Sequence, residues 1–198
     1  MKNIIVAGVG GQGSILAAHI LGAAAIASDI KNVRVGETYG AAMRGGSVVS
    51  HVRFGDVYGP LIYEDQAELI IAIEPLEGLR NIITYLAPEG TAIINDNPLI
   101  PVDVKLGYTQ YPTLEQIKEV VSKLEGGLYI VPASRIARDL GNPRTANVVM
   151  IGSAMATGLL LPLTRKILIE TIRSRVPPKT IEDNVKAFSH GYDFAKNN

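Results

Sequence analysis

Near its start the chain passes from an apolar segment, Asn3–Ala7, through Gly8-Val9-Gly10-Gly11-Gln12-Gly13 into a second apolar stretch from about Ser14 to Ser28. A short unbroken apolar run reads as a buried strand, and an apolar run of more than a dozen residues reads as a helix. Glycines between them allow the tight reversal that joins the two. A strand that turns straight into a helix opens a βα unit, which commits the chain to a sheet with helices laid against it.

The remainder continues that alternation. Asn32–Gly36 reads as the next strand, followed by a segment rich in glycine and small residues from Glu37 to Gly46. Ser47–Phe54 has strand character, with Val48 and Val52 on one face and His51 and Arg53 on the other. Ala67–Ile73 is a further buried-strand run, and Pro75–Leu86 has helical spacing through Leu76, Leu79, Ile82, Ile83 and Leu86. Gly90–Asn95 and Leu128–Val131 are strands flanking an amphipathic helix over Thr113–Leu124 that Thr113 is placed to cap. The last third reads as helical, over Asn147–Leu161, Arg165–Ser174 and Ile181–Ala195. The expectation is an α/β chain of three layers, α/β/α. Its mostly parallel sheet opens with a Rossmann-like βα unit, and residues 1–198 form a single domain.

Composition narrows the function. At 198 residues and 47% hydrophobic the chain can bury a sizeable core. Lys plus Arg and Asp plus Glu both number 19, and neither sign gathers into a run, so nucleic acid is not an expected partner. There is no cysteine, which excludes disulfides, a thiol nucleophile and cysteine-ligated iron–sulfur clusters within this chain. Its first residues lack the features of a secretion signal, and a cytoplasmic setting is expected. Thr145–Thr164 carries no charge but holds polar residues, glycines and Pro162. It reads as a helix buried in a core or between subunits rather than as a membrane span.

Gly8-Val9-Gly10-Gly11-Gln12-Gly13 matches the glycine pattern of dinucleotide-binding turns, where backbone N–H groups and a helix N-terminus meet a phosphate. The acid expected about twenty residues later has no clean candidate, because Asp29 comes early and Glu37 falls in a loop. Binding of NAD or FAD, binding of another anion or partner, and plain turn geometry all remain open for this segment. A second motif, Tyr39-Gly40-Ala41-Ala42-Met43-Arg44-Gly45-Gly46-Ser47, offers a guanidinium among small residues, suited either to forked bonds with a carboxylate or phosphate or to pairing with a nearby acid. Asn142-Pro143-Arg144-Thr145-Ala146-Asn147 leads into the uncharged helix, where Thr or Asn side chains are expected to cap it rather than face a ligand. His19, His51 and His190 show no metal-ligand spacing and read as ordinary helix or strand residues, and no Gly-x-Ser-x-Gly elbow is present.

Four segments together resemble the gamma-type domain of 2-oxoacid:ferredoxin oxidoreductases, the domain III of pyruvate-ferredoxin oxidoreductase: GVGGQGS at Gly8–Ser14, YGAAMRGGSVVSHVRFG at Tyr39–Gly55, IAIEPLEGLRN at Ile71–Asn81 and NPRTANVVMIG at Asn142–Gly152. The third and fourth are most similar to the smaller (beta) subunits of the indolepyruvate branch of that family. Many members carry an acid just before Met-Arg-Gly-Gly, where this sequence has Ala42.

The resemblance implies oxidative decarboxylation of a 2-oxoacid on thiamine diphosphate with magnesium, electrons leaving through iron–sulfur clusters to ferredoxin, and transfer of the acyl group to coenzyme A. It implies that these cofactors belong to a catalytic partner subunit and that this chain binds none alone. Consistent with that, there is no cysteine, and Gly55-Asp56-Val57 is the only string near a thiamine diphosphate motif, without the matching Asn-Asn. Gly8, Gly10, Gly11, Gln12, Gly13, Tyr39, Arg44, Gly45, Gly46, Arg144, Thr145 and Asn147 are expected at a coenzyme A cleft or subunit interface, with no residue assigned as nucleophile, acid or base. A stand-alone NAD(P) or FAD enzyme and a purely structural scaffold are the competing readings. Association is expected in either case, including homodimers of the isolated chain, because the uncharged helix and small-residue loops suggest more apolar surface than one domain hides.

Overall fold

The structure is a computed structural model and describes residues 1–40, 46–100, 102–108, 110–123 and 125–197. Its centre is a strand, β1 (Lys2–Val9), paired in parallel with β4 (Ala67–Ala72), which continues in parallel to β5 (Leu86–Asn95) and β6 (Gly127–Val131). On the other side of β1 lies β3 (Ser47–Phe54), antiparallel to it, and β2 (Arg34–Tyr39) forms the edge, antiparallel to β3. The order across the sheet is β2-β3-β1-β4-β5-β6. Strands β1 and β4 are buried on both faces, which is why Ile4–Ala7 and Leu69–Ala72 read as unbroken apolar runs.

The strand period of two sends alternate residues to opposite layers. Ile4, Val6, Leu69 and Ile71 point to a core shared with α1 (Ser14–Ala27), α5 (Ala133–Asp139), α6 (Ala146–Ala156), α7 (Arg165–Arg175) and α8 (Ile181–Lys196). Ile5, Ala7, Ile70 and Ile94 point to a second core under α2 (Pro75–Tyr85) and α4 (Leu114–Val121). The three layers and the mostly parallel sheet are those the alternation of strands and helices predicts. A short α3 (Val102–Lys105) and α5 are helices that periodicity does not reveal, since each is too short to repeat a pattern.

Several local expectations change. Glu37 is not in a loop: β2 runs on to Tyr39 because its ladder with β3 continues, with Glu37 opposite Ser50 and Tyr39 opposite Val48. Of the apolar stripe read over Pro75–Leu86, Ile82 and Leu86 are buried and Leu79 packs against the second core, but Ile83 is 64% exposed and Leu86 already begins β5. Gly78 and Asn81 are buried beside Ile82, because the missing side chain at Gly78 lets the helix close on Ala72, where an added Cβ would fall 2.8 Å from the Ala72 Cβ. The uncharged helix ends at Ala156, and a turn with Gly158 at φ 76° follows. Every residue from Asn147 to Ala154 is buried by this chain itself, so the apolarity of that stretch is no measure of surface left for a partner. Among the described residues no helix is long and apolar enough to cross a membrane.

Topology places the site. From β1 the chain crosses one face through α1 and goes to the β2 edge, whereas from β4 it crosses the other face through α2 to β5. Where successive crossovers part in this way, the helices leave a crevice at the carboxyl ends of the two strands.

Candidate functional site

The crevice is built around the glycine turn. Gly11 and Gly13 have φ of 105° and 82°, backbone that residues with a Cβ rarely adopt. Gln12 locks the turn by donating its N–H to the Val9 carbonyl (3.0 Å) while its Oε1 accepts the Val9 N–H (2.8 Å). Gly8 lies beneath this side chain, and a Cβ there would come within 3.0 Å of Gln12 Oε1. Gly13 serves as the N-cap of α1 without a side chain to satisfy the first N–H groups, and the first turn holds no acid. The positive end of the helix therefore opens into the crevice.

The second glycine motif meets the first at one backbone bond. Gly10 donates its N–H to the Gly46 carbonyl at 2.9 Å, and Gly40 donates to the Ser47 carbonyl at 3.1 Å, closing the base of the intervening segment. Arg44 and Gly45 lie outside the described residues. On the opposite side, Asn147 of α6 donates from Nδ2 to the Gly13 carbonyl at 3.0 Å, so the NPRTAN segment is tied to the same turn. Neither Thr145 nor Asn147 caps α6 with its side chain. Thr145, 1% exposed, donates its hydroxyl to the Asn142 carbonyl, while Asn142 caps the 3-10 turn over Pro143–Thr145 by accepting the Arg144 N–H. The capping expectation thus fails because a single turn of 3-10 helix intervenes and takes the cap one step earlier.

The glycine turn is a ridge between two open clefts. The first, of about 790 Å³, is lined by Gly10, Gly11, Gly13, Ser14, His19, Tyr39 and Arg175 among others. The second, of about 600 Å³, shares Gly11 and Gly13 and adds Gln12, Ile73, Ser134, Arg144 and Asn147. Ser14, 3% exposed, has no hydrogen bond from its hydroxyl to any described residue. Each cleft therefore combines the end of α1 with one arginine, a setting for an anionic ligand group.

The dinucleotide reading loses its second half. In that arrangement the strand beside β1 is parallel and ends in the ribose-binding acid. Here antiparallel β3 stands beside β1, and Glu37, on the edge strand, bonds His19 Nε2 through Oε1 at 2.9 Å. Among the described residues no group of three acid, His or Cys side chains is placed to hold a metal ion.

Polar residues that sequence reasoning does not single out line the same edge. Glu74, 1% exposed, caps α2 by accepting the Glu77 N–H at 2.8 Å, and its other oxygen accepts the Leu99 N–H and the Tyr111 hydroxyl. Burial and the bond to Glu74 push the Tyr111 hydroxyl well above the ordinary tyrosine range. Asn95 joins the ends of β4, β5 and α5 by donating to the Ile73 carbonyl and Ser134 Oγ while accepting the Ser134 N–H. For Glu74 the signal is present in the EPLEGLRN string, as an acid at the N-cap position just before the Pro75 that opens a helix lying against a sheet.

A family model for pyruvate ferredoxin/flavodoxin oxidoreductase matches residues 3–194. The chain belongs to that family. This chain is 44% identical, over 98% of its length and 96% of the relative's, to indolepyruvate oxidoreductase subunit IorB of Thermococcus kodakarensis. The fold is also that of the gamma subunit of a keto/oxoacid ferredoxin oxidoreductase from Geobacter sulfurreducens, with a TM-score of 0.74, 24% identity and complete coverage of both chains. A 2-oxoglutarate:ferredoxin oxidoreductase from Magnetococcus marinus, solved with 2-oxoglutarate, coenzyme A and succinyl-CoA, matches with a TM-score of 0.71 and 22% identity. All of this chain corresponds to 31% of that longer one, so this fold occurs both as a separate subunit and as part of a larger polypeptide.

Proposed function

We propose that this chain is the smaller, cofactor-free subunit of a cytoplasmic 2-oxoacid:ferredoxin oxidoreductase acting on indolepyruvate or a related aryl 2-oxoacid, and that its glycine crevice completes the coenzyme A approach to a partner's redox centre. The observation that carries the role is the Gly10 N–H bond to the Gly46 carbonyl, which brings the two glycine motifs together at the open end of α1. Kinship supports the class of complex, and the absence of cysteine supports housing the iron–sulfur clusters elsewhere. Thiamine diphosphate with magnesium, bound in the partner, supplies the decarboxylation chemistry. This chain's part is to bind and orient: α1 N–H groups, the Ser14 hydroxyl and Arg175 in one cleft, and Arg144 in the other, suit the phosphate groups of coenzyme A. Close docking against the partner would exclude water from the cleft.

Arg44 is proposed as a further contact to the same ligand or to the partner, its reach eased by the small residues around it. In the complex reconstituted with its large subunit, Arg44→Ala is expected to lower turnover with ferredoxin as acceptor by roughly tenfold while the isolated subunit stays folded. An unchanged rate with unchanged coenzyme A dependence would remove the motif from the site. Tight binding of NAD(P), FAD or thiamine diphosphate to the subunit alone would overturn the cofactor-free reading.

A further inference from the structure

Glu77 is a buried acid with a directed partner. It lies in the first turn of α2 and is 4% exposed. Burying a carboxylate is costly unless its oxygens are bonded, and both are: Oε1 accepts from Arg80 Nη1 at 2.8 Å, and Oε2 accepts the Ser47 hydroxyl at 2.6 Å. The Arg80 side chain is 60% exposed, so the ion pair itself adds little. Its effect is to orient the carboxylate toward Ser47. The helix does not need the Glu77 side chain for its end, because Glu74 already provides the cap.

Ser47 begins β3, stands opposite Val9 in the ladder and directly follows Gly46. Among the described residues the two glycine motifs meet through a backbone bond, Gly10 to Gly46, with a second backbone bond, Gly40 to Ser47, inside the later motif. Gly10, Gly40 and Gly46 carry no side chains to pack, so Ser47 is where a group from outside can anchor them. The Ser47–Glu77 bond is short and charge-assisted, roughly twice as strong as a neutral one. It originates on a helix of the opposite layer from α1.

We propose that Glu77 is a positioning residue: through Ser47 it sets where Gly46 meets the glycine turn, and with it the wall of the first cleft. This rests on the reading of that cleft as the acyl-acceptor approach. The test uses the reconstituted complex with Glu77→Gln, Ser47→Ala and the double variant, and reads the KM for coenzyme A, the KM for the 2-oxoacid, subunit association and thermal stability. The expected result is a rise in the coenzyme A KM of roughly tenfold in each single variant and no further rise in the double. The 2-oxoacid KM and subunit association are expected to stay put.

Additive effects in the double variant, or equal changes in both KM values, overturn the proposal. Should Glu77→Gln fail to fold, Ser47→Ala breaks the same bond from the strand side, and an unchanged coenzyme A KM there overturns it equally. Arg44→Ala separates the two levels. If it lowers turnover while Ser47→Ala and Glu77→Gln do nothing, the positioning role is wrong and the site reading stands. If none of the three has any effect, both fall.

Discussion

His51 is 1% exposed on β3, and its Nδ1 accepts the Ile62 N–H at 3.2 Å, which requires the proton to sit on Nε2. Nε2 itself is buried without a hydrogen-bond partner among the described residues, and the ring meets Tyr85 edge to face at 5.4 Å. Burial lowers the pKa below the ordinary 6.5, Arg53 lowers it further, and Glu37 opposes them. The unfolded chain therefore takes up this proton first, so the stability tied to neutral His51 is complete above about pH 6.5 and is lost as pH falls below it. Unfolding free energies from denaturant titrations between pH 7 and pH 5 are expected to fall, by at most about 1.4 kcal/mol per pH unit from this group. His51→Gln should show a shallower dependence, and parallel curves would remove His51 as the cause. Sequence reading treats this residue as an ordinary strand histidine. Its alternation with Val52 is visible in the string, but the loop N–H that fixes its tautomer comes from eleven positions away.

At the level of elements, the contact between α6 and α8 shows why small residues recur in the apolar segment. A Cβ at Gly152 would fall 2.0 Å from the Phe188 carbonyl oxygen, and one at Gly191 would fall 2.0 Å from that of Val149. Ser153 seals the same contact by donating its hydroxyl toward the carbonyls of Val149 and Gly191. Replacing glycine by alanine inside a helix ordinarily stabilises it by about 1 kcal/mol. Here that gain is outweighed, because the helices must separate, an overpacking that costs on the order of 1–3 kcal/mol or more. Gly152→Ala is expected to lower the melting temperature. An equal or higher value would show that the two helices are not in backbone contact. The helices themselves are legible from their spacing, while the distance between them is not, because it depends on which small residues face each other across the pair.

For the molecule as a whole, both faces of the sheet are covered by cores that share its strands, Ile4 and Val6 belonging to one and Ile5 and Ala7 to the other. Neither layer can be lost without exposing the strands that serve the other. We therefore propose that residues 1–198 behave as one domain, and a single cooperative unfolding transition, coincident by backbone and aromatic signals, is the expected outcome. Two separated transitions would divide the chain. The same continuity joins the site to the fold, since the glycine turn, Gly46, Asn95 and Asn147 all sit at the ends of elements that pack on those cores.

What the amino-acid string determined alone is the class of fold and the kinship. Buried strands and amphipathic helices write their periods into neighbouring residues, and motifs such as GVGGQGS and RGGS are contiguous. The tertiary structure decided what stands beside what. It put antiparallel β3 next to β1, where a dinucleotide fold has a parallel strand, and drew Glu37 to His19. It also aimed Glu77 at Ser47 across 30 positions of chain. Those pairings arise from how two helical layers settle on one sheet, a balance of packing and hydrogen bonding between distant segments that no local pattern encodes.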